Sequence, residues 1–157
     1  MKWILITLLI GVIMIIAYSL SEQYKEKFDF YSNLKNFLNQ FKINLSFKRE
    51  KISEFLKQVN SKKQFKIFTD EYMNYLNKGE LNLSKIKALD SEDIPILEDI
   101  VKNIGKHDSK NEISQIDSFL VTVSDRLTNA EADKNKLCPM IIKLSLLFAI
   151  GVAILLI

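Results

Sequence analysis

One cysteine and one histidine in 157 residues remove most of the usual site chemistry before any motif is sought. A single thiol cannot close an intramolecular disulfide or build a thiolate metal cluster, and one imidazole cannot serve a site that needs paired histidine ligands. Cys138 opens the last apolar run, where a small apolar filler is the expected role and palmitoylation a weaker one. Four glycines and two prolines leave few places for a helix to stop. Also missing are a Gly-rich phosphate loop, a Gly-x-Ser-x-Gly elbow and any His/Cys pattern with metal-ligand spacing. No catalytic residue, metal or cofactor is expected.

What remains is helix. The composition predicts an all-α fold, with a helical bundle bracketed by an N-terminal and a C-terminal transmembrane helix. Residues 3–20 form an uncharged run of eighteen, near the minimum length for a bilayer span. Residues 137–157 form a run of twenty-one whose one charge, Lys143, lies close enough to an end to snorkel to the headgroups. The expected division is therefore 1–20 as a first span, 21–136 as the helical domain and 137–157 as a second span. A cleaved signal peptide is the competing reading of the first run, with Lys2 as its basic region and Ala17, Tyr18 and Ser19 at the cleavage site.

Lysine placement predicts orientation. Only Lys2 precedes the first span, whereas Lys25, Lys27, Lys35 and Lys42 follow it and Lys134 and Lys136 precede the second. The positive-inside rule then puts the central domain in the cytoplasm and both termini across the membrane. Charge is also split within the domain. Residues 22–66 carry eleven Lys or Arg against five acids, and residues 67–136 carry nine against fourteen. The basic half suits anionic headgroups and the acidic half a basic partner; mutual attraction inside the bundle is the plainer account.

The longest pattern is at the C-terminal end. Ile113, Ile116, Leu120, Val123, Leu127 and Ala130 recur at alternating three- and four-residue intervals, the seam of a helix packed against other helices. Ser109 and Glu112 make a capping box for it. Upstream, Tyr24, Phe28, Tyr31, Leu34, Leu38 and Phe41 predict a helix continuing from the first span, with a break near Ile43 to Ser46. Ser46 is then expected to cap a helix bearing Phe47, Ile52 and Phe55, Asn60 and Ser61 to separate it from the next, and Gly79 to end that one. Ser84 predicts a short helix, and Asp90 or Ser91 the cap of another with Pro95 in its first turn and Gly105 at its end.

His107 and Asp108 invite a phosphotransfer reading, but they lie between a helix-ending glycine and a helix start, where cap chemistry explains them. Asp90, Glu92, Asp93, Glu98 and Asp99 lack calcium-loop spacing, and first-turn acids are expected on helix-dipole grounds. The aromatic residues recur at core spacing rather than as a base-stacking platform, so no nucleic acid is expected.

Ile104, Gly105, His107 and Asp108, followed without a gap by Ile116, Leu120, Ala130, Lys136 and Leu144 into the second span, resemble the stage III sporulation protein AB family. Glu112 stands where that family commonly has glutamine, and Ser145 and Ala149 where it has small glycines. The resemblance implies a non-enzymatic subunit of the channel between mother cell and forespore, in the mother-cell membrane facing the forespore. It also implies a platform or adaptor role for a companion secretion-type ATPase, since the family's helical domain is similar to the F-type platform proteins of type II secretion. The expected partners are that ATPase, other membrane proteins of the channel, the bilayer and, in a homo-oligomer, further copies of the chain. The expected contact residues are Asp90, Glu92, Asp93, Gly105, His107 and Asp108, with Ser145, Ala149 and Gly151 as a close-packing strip for a membrane helix. The alternative function is a membrane-surface or signalling protein with a cytoplasmic helical domain.

Overall fold

The computed structural model describes residues 2–48, 50–105 and 109–156, and the side chains of all of these except Lys2, Trp3, Leu5, Ser109 and Leu156. Five α-helices run in order: α1 (Lys2–Phe47), α2 (Ile52–Gln58), α3 (Lys63–Lys78), α4 (Ile94–Asn103) and α5 (Ser109–Leu156). A single 3-10 turn, Leu83–Lys85, lies between α3 and α4, and no strand occurs among the described residues. The all-α expectation holds. Helices α1 and α5 are each long and apolar enough to cross a membrane.

The chain forms two compact units, Met1–Phe28 with Asn129–Ile157, and Asp29–Thr128. Both apolar runs fall in the first. In that unit Ala17, Ser21, Ala130, Cys138 and Ala149 are buried, so the two helices meet through small side chains. The Cys138 thiol donates to the Ser21 carbonyl at 3.3 Å, and the Lys134 ammonium lies 3.5 Å from the centre of the Phe28 ring.

The second unit has an aromatic core. Phe30, Phe37 and Phe41 of α1 meet Phe55 of α2 and Phe65 and Phe68 of α3 in a chain of edge-on and tilted ring contacts. Phe30, Phe37 and Phe68 are all at most 2 % exposed. The sequence pattern of α1 picked Tyr31, Leu34, Leu38 and Phe41 but passed over Phe30 and Phe37. Helix α1 is buried on a face too wide for one three–four stripe, because α2 and α3 cover the side that a two-helix seam would leave open.

Some boundaries differ from expectation. Helix α1 does not break at Ile43 to Ser46; the Ser46 hydroxyl donates back to the Lys42 carbonyl at 3.0 Å inside its last turn, so it caps nothing. Phe47 consequently ends α1 at 84 % exposure and is not part of the core face of α2. No glycine or proline stands there to stop the helix. Ser84 caps no helix and lies inside the 3-10 turn, with its hydroxyl donating to the Asn82 side-chain oxygen at 2.6 Å. That segment is fastened instead by α3: Glu71 accepts the Asn82 N–H at 3.2 Å and the Lys85 ammonium at 2.5 Å, and Gln64 accepts the Lys87 N–H at 3.1 Å. Along α5 from Glu112 to Ala130 the buried positions are Glu112, Ile116, Phe119, Val123 and Ala130. Ile116, Val123 and Ala130 lie inward as the seam predicts, and Phe119, which the pattern passed over, is buried more deeply than its half-buried neighbour Leu120.

Candidate functional site

Asp90, Glu92 and Asp93 part company in the structure. The chain turns at 90–93 before α4 begins at Ile94 with Pro95 in its first turn. Asp90 and Glu92 are on the surface, and Asp93 is fully buried. One oxygen of its carboxylate accepts the Asp90 N–H at 3.1 Å, and the other lies 3.4 Å from the Arg126 guanidinium of α5. Arg126 also reaches the exposed Glu92 carboxylate at 3.9 Å. The expectation that Asp93 faces a partner is therefore corrected: it is spent on an internal ion pair, because a carboxylate enclosed this far needs a cation to remain charged.

Tyr31 of α1 completes this corner. Its hydroxyl is buried beside Asp93 without a well-formed hydrogen bond. Burial first, then the adjacent Asp93 carboxylate, holds its proton on far above the ordinary phenol range. The sequence marks Tyr31 only as an apolar position of its helix and does not single out Arg126. Arg126 carried a signal all the same: it is one of only two arginines among 22 basic residues, and a planar guanidinium suits a buried carboxylate better than an ammonium does.

A second corner surrounds Gly105. Ile104 closes α4, and Gly105 adopts φ +90°, the left-handed conformation expected of it. Glu112, only 1 % exposed, accepts the Gly105 N–H at 2.6 Å. The predicted capping glutamate thus reaches back seven residues, past Ser109, to the glycine that ends the preceding helix. Tyr72 of α3 donates its hydroxyl to the Ile104 carbonyl at 3.3 Å, and burial, followed by the Glu112 charge, raises its pKa well above the phenol range. Beside Gly105 opens a cleft of about 470 Å³ with Phe41, Leu45, Ile52 and Leu76 as apolar lining and Glu50, Lys51 and Glu112 as charged lining. His107 and Asp108, expected as contact residues of this turn, lie outside the described residues.

The membrane strip also divides. Ala149 is 1 % exposed and packs within its own unit, whereas Gly151 is exposed and would accept a Cβ with nothing within 4 Å. Ser145 is half-buried. Gly151 instead lines a shallow apolar groove with Leu144, Leu147, Phe148, Val152 and Leu155 on one face of α5.

Comparison with curated proteins and with solved structures gives no match. A family model does match, and it takes in nearly every residue of the chain, from the first apolar run through both corners to the end of α5. On residues 2–157, the chain belongs to the stage III sporulation protein AB family.

Proposed function

We propose that this chain is a non-enzymatic, membrane-anchored subunit of the mother cell–forespore channel, serving as platform or adaptor for a companion ATPase. The observation that carries the reading is the match to a sporulation family over residues 2–157, on a chain whose first and last helices are each long and apolar enough to span a bilayer. Cytoplasmic placement of the Asp29–Thr128 unit follows from the lysines flanking the apolar runs. The ATPase contact is assigned to the exposed acids Asp90 and Glu92 and to the turn from Gly105 to Asp108, with Asp93 and Arg126 shaping the acidic turn from beneath. On the bilayer side, the Gly151 face of α5 is open to another membrane subunit, whereas Ala149 is already used internally.

The test is titration calorimetry of the full chain in lipid nanodiscs with the companion ATPase. Saturable binding that weakens on Asp90→Lys or Glu92→Lys substitution is the expected result. Absence of binding at high micromolar concentration, with the helical circular dichroism intact, removes the adaptor role.

A further inference from the structure

The Asp29–Thr128 unit carries a second groove, of about 430 Å³, whose lining contains no charged side chain. Charged residues make up 26 % of the sequence, so a wholly neutral lining is a departure from the rest of this surface. Five carboxamides supply its polar groups: Asn33, Asn36 and Gln40 from α1, and Gln58 and Asn60 from the end of α2 and the loop after it. Phe37, Phe55 and Phe65 close the bottom. Spacings of three and four residues place Asn33, Asn36 and Gln40 in one row along α1.

The carboxamides are not all spent on the fold. Asn33 donates its amide to the Asp29 carbonyl at 2.7 Å, and Gln58 donates to Glu50 at 3.3 Å. Each of these two amides keeps an oxygen acceptor. Asn36, Gln40 and Asn60 are engaged with no other described residue. A carboxamide offers a donor pair and an acceptor in one plane, the same complement that a peptide bond presents.

We infer that this groove binds a short extended segment of a partner polypeptide through its main chain, and that the segment is uncharged. Length supports it. Seven residues of helix between Asn33 and Gln40 rise about 10 Å at about 1.5 Å each, which is the reach of about three extended residues at about 3.3 Å each. Charge supports it as well, because a groove without ionic groups gives a charged side chain no partner to offset its desolvation. A sugar is disfavoured by burial: Phe37, Phe55 and Phe65 are 2 %, 7 % and 3 % exposed and offer no open ring face for stacking. This inference stands apart from the acidic turn and from the ATPase.

The experiment uses the full chain in nanodiscs as bait for a displayed library of twelve-residue peptides. Enriched peptides are resynthesised with a natural backbone and with the central three amides N-methylated. Nitrogen-15 spectra of the side-chain amides then report where they bind. Enriched sequences uncharged at their centre, shifts at Asn36, Gln40 and Asn60, and loss of binding on N-methylation are expected. The double variant Asn36→Ala/Gln40→Ala, at exposed positions, should weaken binding about tenfold with unchanged circular dichroism. Selection of no peptide that moves these amides, binding that survives N-methylation, or shifts produced by maltotriose but not by peptides would each overturn the inference.

Discussion

Gly79 and Gly105 both sit at left-handed φ, +78° and +90°, yet substitution should cost them differently. A Cβ at Gly79 meets nothing within 4 Å, whereas one at Gly105 falls 2.8 Å from the Ile52 Cγ2. Gly79→Ala is expected to lose about 1 kcal/mol, the backbone penalty alone, and Gly105→Ala about 2–4 kcal/mol once Ile52 and α2 must shift. Urea unfolding monitored by circular dichroism separates the two. Glu71 gives a pH-dependent case. Its Lys85 partner, and then the Asn82 N–H, hold its carboxyl below the ordinary 4.5. A folded pKa below the unfolded one stabilises above the unfolded value, and that gain is lost as pH falls through the folded value. Glu71→Gln should therefore cost about 1 kcal/mol at neutral pH, a modest figure because Lys85 is 57 % exposed. The gap between variant and parent should shrink below pH 4.5. A gap independent of pH would assign Glu71 a purely steric role.

Among the elements, the α4 start depends on one ion pair rather than on its string of acids. Asp93→Asn strips the buried partner from Arg126 and is expected to destabilise by about 1–3 kcal/mol. Glu92→Gln, at 81 % side-chain exposure and 3.9 Å, should stay within about 0.5 kcal/mol. Thermal unfolding of both variants checks the contrast. Periodicity alone was enough to place α1, α3, α4 and α5, and the two glycine stops read correctly because a positive φ is a requirement that few residues meet. Serines misled: Ser46 and Ser84 have the chemistry of caps, but a cap residue next to unbroken helix formers can bond backward into the same helix, as Ser46 does. That Phe119 is buried more deeply than Leu120 was beyond periodicity, since both residues satisfy a three–four pattern and only the neighbouring helices decide which turns further inward. Asp93 was misjudged for a related reason. Its partner Arg126 lies 33 positions away, and no local pattern links them.

For the whole molecule, the aromatic core is the stake on which the Asp29–Thr128 unit rests. Phe68 is fully buried and touches the rings of Phe30, Phe37, Phe65 and Tyr72, so Phe68→Ala should cost about 3–5 kcal/mol. Cooperative melting of the chain in detergent reads that loss. Membrane orientation is testable with the same chain. A Glu92→Cys variant should react with a membrane-impermeant maleimide in inside-out vesicles and not in intact cells; the reverse pattern would overturn the assignment made from lysine placement.

Such labelling also meets the native thiol. Cys138 is 7 % exposed, with its hydrogen directed at the Ser21 carbonyl of the facing helix. A small alkylating reagent can reach that sulfur only when the two helices separate, so the rate at which the unaltered chain takes up reagent is a clock for hairpin opening. Run with and without candidate membrane partners, the clock would slow for any partner that clamps the pair and quicken for any that prises it apart.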